Sequence, residues 1–455
     1  MTRSRRARHV TTAFAATAAV VALLGACAAA APTATTTPDA TSTPERTERG
    51  AAVPRLAVTY DGGLLVLDAG SLEVLADVPA PGYLRVAAAG DGRHVLVSGD
   101  DGFRVLDTGT WGQGHDDHAH HYTQQPQLTD VTFPARTPGH VVVHDGRTAL
   151  FDDGTGEVTV LDSEDVADGP SDDARRHTTP HPHHGVAVEL PDGTLVVSDG
   201  TEDARTGVRA LDADGREVAA TDACPGVHGE SVAAGGTVVV GCQDGVVVLH
   251  DGVFTKVTSP DAYGRIGNQS GSPVSPVVLG DYKVDADAEL ERPTRVSLVD
   301  TRTATLRLVD LPASYSFRSL ARGDEGEALV LGTDGALHVV DPSTGTLVRS
   351  VPVVAPWQEP LRWQEPRPAV TVHAGTAYVT EPATRSIHAV DLATGEIYRS
   401  VELDVVPDEV AVASGDVRRR GTPAPTGSRE PATPVAPATD EEDHGHEDGL
   451  ADHDH

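Results

Sequence analysis

Twelve of the chain's 21 histidines fall in three short clusters: His115, His118, His120 and His121; His177, His181, His183 and His184; and His444, His446, His453 and His455. Imidazole is the commonest protein metal ligand and is soft enough to suit zinc. Histidine spent in this way points to the handling of a metal ion rather than to catalysis by one residue. His118 and His120 are two apart, which on an extended segment turns both rings to one side. His184 and His228 each precede a glycine at the start of an apolar run, HHGVAV and HGESVA. Glycine there permits a sharp turn or a close backbone approach. Zinc prefers four ligands in a tetrahedral array, drawn from His, Asp or Glu where thiolates are lacking. Asp130, ahead of the third inner strand, and Glu230, just after His228, are the carboxylates within reach. Each could bind the ion or fix an imidazole tautomer as an acceptor. His94, His140, His144, His250, His338, His373 and His388 stand alone and read as structural, with His140 and His144 nearest the site.

Residues so far apart need a scaffold that brings them together. From about residue 53 to 415 the chain alternates short β-branched runs with Asp-Gly or Thr-Gly turns, and no long stretch has helical periodicity. A strand ending in Leu-Asp or Val-Asp recurs at 64–68, 103–107, 158–162, 208–212, 296–300, 337–341 and 387–391, and a version without the aspartate at 245–250. The spacing of roughly 30 to 55 residues is that of propeller blades built from four antiparallel strands. Asp-Gly turns supply the positive φ angles of tight hairpins. The expected fold is all-β, a single eight-bladed β-propeller over 54–415, with seven blades as the alternative. Residues 409–414 read as an inner strand donated to the first blade, which closes the ring and leaves no raw sheet edge. In that ring His184 and His228 occupy the same register in neighbouring blades, side by side at the channel mouth. The insertion 115–122, read as a mobile loop between the second and third blades, would supply one or two further imidazoles. A propeller ring hosts enzymes, scaffolds and binding proteins alike, so function has to come from the site.

The termini indicate the compartment. Arg3, Arg5, Arg6 and Arg8 precede an apolar run that closes on Leu24-Gly25-Ala26-Cys27. The run is short for a bilayer span, so residues 1–26 read as an export signal. Leu-Gly-Ala-Cys resembles the bacterial lipobox, which makes Cys27 the expected lipidated N-terminus and the outer face of the cytoplasmic membrane the expected location. An ordinary signal peptide is the alternative. Residues 27–53, rich in Ala, Thr and Pro, read as a disordered tether. Export also makes Cys224 and Cys242 candidates for a disulfide, favoured over metal ligation because they lack CxxC spacing. The formal charge of −33 argues against a nucleic-acid partner and suits a protein that gathers cations, although a solvated acidic surface needs no function. Residues 416–455 read as a disordered, acidic, His-rich tail. Its last 16 residues carry eight carboxylates and four histidines, and could capture metal reversibly or merely solubilise the chain.

Several longer stretches carry a resemblance: HDDHAHHY (115–122), PHHGVAV (182–188), CPGVHGES (224–231), YGRIGNQ (263–269), YSFRSL (315–320) and WQEPLRWQEPR (357–367). Spread over the whole repeat region, they resemble the AztD-type zinc metallochaperones. The resemblance implies an eight-bladed propeller that holds Zn2+ outside the cytoplasmic membrane and passes it to the solute-binding protein of a zinc ABC importer. By matching motif it implies His118, His120, His184 and His228 as leading ligands, with His115, His121 and His183 behind them. It implies nothing for the tail, which lies outside the matched stretches.

Two other classes compete. One is a propeller hydrolase or dehydrogenase, although the chain has no GxSxG motif and no repeated tryptophan docking signature. Three histidines and a water would look the same in sequence as a zinc-transfer site. The other is a cell-surface scaffold whose histidines are incidental.

Overall fold

The computed structural model describes residues 45–115 and 118–417; the export segment, Cys27 and the His-rich tail lie outside them. Among the described residues, strands pair into eight antiparallel four-stranded sheets, one of which gains a short parallel fifth strand. Each repeat supplies one sheet. The third contains Pro138–His144, Arg147–Asp152, Glu157–Asp162 and Arg175–Thr178; the fourth Ala187–Glu189, Leu195–Gly200, Arg205–Leu211 and Glu217–Thr221. The fifth contains Glu230–Ala233, Thr237–Cys242, Asp244–His250 and Val253–Thr258.

The sequence pattern of each strand follows from its depth. Second and third strands, such as Gly63–Asp68 and Thr237–Cys242, are buried almost throughout because a neighbouring sheet covers each face. They read as continuous apolar runs rather than alternating ones. Fourth strands lie at the rim, and Ile397–Glu402 is almost wholly exposed. Eight apolar clusters hold the assembly together, each straddling two consecutive sheets. One packs Leu56, Leu65 and Leu67 of the first sheet against Tyr378, Ile387 and Ala389 of the last, so the sheets close into a ring. Val410–Ala413 completes the closure by pairing with Arg55–Tyr60 as the inner strand of the first sheet.

Antiparallel order gives the ring two chemically distinct faces. Connections from sheet to sheet, and from second to third strands, emerge on one face, called the upper face below. Connections from first to second and from third to fourth strands emerge on the lower face. A cavity of about 1650 Å³ is lined by Asp145, Asp192, Asp251 and Asp324 on that face and reaches Glu230 at the start of the inner strand of the fifth sheet.

Two expectations are corrected. The 115–122 segment is no loop between the second and third blades. It is a β-hairpin, Thr110–His115 with His118–Thr123, inserted between the third and fourth strands of the second sheet. The stretch 27–53 is not a tether to its end, because Thr47–Arg49 pairs with His121–Thr123 as a third strand. The hairpin's open edge offers unpaired backbone groups, and the extended segment before the first sheet satisfies them.

Candidate functional site

On the upper face, three successive inner strands bring three imidazoles together. His184 lies just ahead of Ala187–Glu189 and His228 just ahead of Glu230–Ala233. His140 sits within Pro138–His144, where the pairing register shifts between Pro138 and Val141. Such a bulge re-aims a side chain that regular alternation would point elsewhere. One ligand nitrogen from each of His140, His184 and His228 lies within 4.8 Å of the other two, and all three residues are partly buried.

Each ring is held by its other nitrogen. The Nδ1–H of His184 donates to Asp153 Oδ2 at 2.6 Å. The Nδ1 of His140 lies 3.1 Å from Glu230 Oε2. The Nδ1–H of His228 donates to the carbonyl of Gly267. A carbonyl can only accept, so His228 carries its proton on Nδ1 and turns the lone pair of Nε2 toward the cluster. His184, bound to a carboxylate, does the same. The two Nε2 atoms face each other at 3.2 Å. Two neutral nitrogens at that distance repel unless a proton or a cation lies between them. A tetrahedral zinc with bonds of about 2.05 Å spaces its ligands by about 3.3 Å, close to what is seen. Acceptors from outside the ligand set that fix the tautomer and orient the ring are the usual support of histidine metal sites.

The local sequence explains this placement. Gly229 has φ +74°, and a Cβ there would lie 2.4 Å from Gln269 Oε1 and 2.6 Å from the Gly267 carbonyl. The glycine therefore lets the strand carrying His228 approach its acceptor. A Cβ on Gly139 would lie 2.2 Å from Asp153 Oδ1, so the residue before His140 is bare where the partner of His184 must pass. Cys224 and Cys242 are disulfide-bonded across a separation of 18 residues, bracing the segment that leads to His228. A cross-link over such a span contributes about 3 kcal/mol.

Electrostatics sets the three rings apart. Burial depresses the His228 pKa well below 6.5, and the neighbouring His140 and His184 push the same way. Burial also works against charge on His140, but the Glu230 carboxylate outweighs it and holds that pKa above 6.5.

The other sequence-derived candidates lie elsewhere. His183 is buried at 2% exposure, donates from Nδ1 to the His181 carbonyl at 2.9 Å and accepts the Ser198 hydroxyl at Nε2 at 2.9 Å. Neither nitrogen is left for a metal. Asp130 stands exposed on Gln127–Pro134, the outermost strand of the second sheet rather than ahead of the third, and is not part of the cluster. Glu230 supports His140. His115, His118, His120 and His121 belong to the hairpin, whose position between a third and a fourth strand puts it on the lower face. There His118 Nε2 meets His120 Nε2 at 3.2 Å, and His120 Nδ1–H donates to Glu48 Oε1 at 2.7 Å. The His115 ring centroid lies 5.9 Å from that of His120, and the His121 Nδ1–H donates to the Gly415 carbonyl at 3.1 Å. The hairpin imidazoles thus form a separate group.

Sequence reasoning missed His140, which it placed among the structural histidines. It also missed Asp153 and the Gly267 carbonyl. A signal for His140 was present: Gly139-His140 inverts the His-Gly order of the neighbouring repeats, at the start of the equivalent strand. His338 and His388 do serve structure, each bonded to a serine on the next strand, Ser350 or Ser400, and to a carboxylate, Asp334 or Glu381.

Fold and site together define a β-propeller with a three-imidazole cluster suited to a divalent metal at one mouth. No protein-family model matches the chain. It is 26% identical over 368 residues to the zinc chaperone AztD of Citrobacter koseri, an alignment spanning 78% of this chain and 85% of that protein. A crystal structure of Citrobacter koseri AztD superposes with a TM-score of 0.69 at 24% identity, covering 80% of this chain and 98% of the other. Its apo form superposes with a TM-score of 0.68, at the same identity and coverage. The dihydro-heme d1 dehydrogenase NirN, in complex with DHE, shares the fold more distantly, with a TM-score of 0.51 at 12% identity over 79% of this chain and 75% of the other. The resemblance to AztD-type zinc metallochaperones read from the motifs is upheld by the similarity to AztD.

Proposed function

We propose that this protein is an extracytoplasmic zinc metallochaperone, and that His140, His184 and His228 hold its cargo. The observation that carries the reading is the pair of lone-pair nitrogens facing each other at 3.2 Å, each with its ring pinned from behind. The similarity to a zinc chaperone supports zinc as the ion. Three imidazoles leave one tetrahedral position for an incoming ligand. A receiving protein can bind there before the histidines let go, so the ion is handed over without being released to solvent. The solute-binding protein of a zinc ABC importer is the receiver this reading assigns. The hairpin imidazoles His115 and His118, exposed, and His120, partly buried and backed by Glu48, serve as a second, weaker capture group. Export through residues 1–26 and lipidation at Cys27 belong to the same proposal and would keep the protein at the outer face of the cytoplasmic membrane.

Zinc content and affinity of the purified protein test the reading, with and without His184→Ala and His228→Ala. Loss of the tight zinc equivalent in the double variant is expected; unchanged zinc overturns the assignment. Mixing zinc-loaded protein with the apo solute-binding protein then separates a chaperone, which transfers, from a zinc enzyme, which retains its ion.

A further inference from the structure

In a chain of formal charge −33, two arginines converge on the metal cluster. Arg205 opens the third strand of the fourth sheet on the upper face, and its Nη1 donates to the His184 carbonyl at 3.3 Å. Its own carbonyl accepts the Val227 N–H at 3.1 Å, immediately before His228. Arg265 lies on the connection that leaves the fifth sheet, clamped through reciprocal backbone hydrogen bonds to Lys283 at 2.9 and 3.0 Å. Its guanidinium curls over Gly267, where a Cβ would lie 3.0 Å from Nε and 3.1 Å from Nη2. The carbonyl of that glycine is the one that holds His228.

The guanidinium of Arg265 donates no hydrogen bond and meets no carboxylate within salt-bridge distance among the described residues. Among the described residues Arg205 forms no salt bridge either. Burial lowers the Arg205 pKa, and the second cause is the charge of Arg265, so the two cations feel each other. Arg265 also acts on His228. The guanidinium is a planar fork of donors that matches a carboxylate or phosphate, and neither arginine has such a partner among the described residues. The charges argue in the same direction. Asp153, Glu230 and Asp281 balance Arg205, Arg265 and Lys283, so a divalent ion on neutral imidazoles would leave the site with two uncompensated positive charges.

Resting on the zinc reading above, we propose that Arg205 and Arg265 form an anion site joined to the metal site. It takes a carboxylate that accepts from the guanidinium groups and gives one oxygen to the metal. That oxygen displaces the water left by three histidine ligands; no bond other than the coordinate one changes. The YGRIGNQ stretch thereby gains a role, with its arginine binding the anion and its second glycine supplying the His228 acceptor and the space for the guanidinium.

Cobalt replaces zinc as the probe, because its visible d–d bands report the fourth ligand. The protein is loaded with one equivalent of Co2+, and the spectrum of the His184→Ala/His228→Ala protein is subtracted. Sodium acetate should shift the remaining bands saturably and tighten Co2+ binding several-fold. The Arg205→Gln/Arg265→Gln protein should still bind Co2+ at the histidines but show neither effect. An acetate-insensitive spectrum in the unmodified protein overturns the proposal, as does an equal shift in the arginine variant. If removing His184 and His228 leaves the cobalt spectrum unchanged, the metal reading itself fails, and the anion site with it. A hexa-aspartate peptide at equal carboxylate concentration identifies the source. Tighter binding than acetate assigns the site to carboxylates borne by a docking protein, and equal binding assigns it to free anions.

Discussion

The two groups of imidazoles differ in what holds them. On the upper face, each ring of the His140–His184–His228 cluster comes from a different sheet. Asp153, from the third sheet, orients a histidine of the fourth, and Glu230, from the fifth, orients one of the third. On the lower face, His115, His118 and His120 come from a single hairpin, with Glu48 on the adjoining strand. The hairpin has the denser histidine motif, yet only the upper group is fixed by the ring as a whole. A metal site gains affinity when its ligands are held in place before the ion arrives, since little ordering is then left to oppose binding. Local density of ligands and preorganisation are separate properties, and here they fall on opposite faces.

Removing a ligand from the upper group should have the largest effect. His140→Ala is expected to abolish tight zinc binding as fully as His184→Ala or His228→Ala, measured by competition with a chromophoric chelator. If His140→Ala binds zinc as the parent does, the cluster is a pair and the bulge is incidental.

Loss of the supporting acceptors comes next. Asp153→Asn and Glu230→Gln keep all three imidazoles but weaken the groups that orient them, and each should lower zinc affinity by about 10–100-fold. Equivalent treatment of the lower group, Glu48→Gln, should leave the tight equivalent untouched. Equal losses from the two faces would erase the distinction between them.

A smaller and graded effect is expected with pH. Zinc and protons compete for the same nitrogens. Glu230 holds the His140 pKa above 6.5, so this ring begins to take up a proton on the alkaline side of that value, and zinc affinity falls as pH drops through it. His228, held well below 6.5, is already neutral there and contributes little to the slope. Competition titrations between about pH 7.5 and 5.5 measure the onset. Glu230→Gln should move it to lower pH, and affinity that does not vary over this range would argue against imidazole ligands.

The smallest change should follow His118→Ala/His120→Ala. Calorimetry should show the tight equivalent unchanged and a weak one lost. If the tight equivalent disappears instead, the hairpin, not the channel mouth, is the principal site.

Much of the scaffold can be read directly from residue order. The recurring strands that end in Leu-Asp or Val-Asp mark the third strand of seven sheets, the version without the aspartate marks that of the fifth, and 409–414 contains the strand that closes the ring. These features are legible because strand period and turn chemistry are local, and because burial on both faces imposes continuous apolar runs. The shared register of His184 and His228 is legible for the same reason. The face of the hairpin is not legible in this way, because its place between the third and the fourth strand of the second sheet shows only in the strand pairing.

The remainder depended on the folded ring. His140 joins the cluster only because a bulge turns it, and a bulge leaves no mark in a seven-residue strand beyond a glycine. Asp153 reaches His184 across the boundary between two sheets, and the acceptor for His228 is a backbone carbonyl that no side-chain pattern encodes. Residue order therefore determined the sheets, the closure and two of the three imidazoles. The third imidazole, the groups that orient all three and the arginines beside them were decided by the tertiary structure, because each depends on side-chain directions across blades that meet only when the ring is closed.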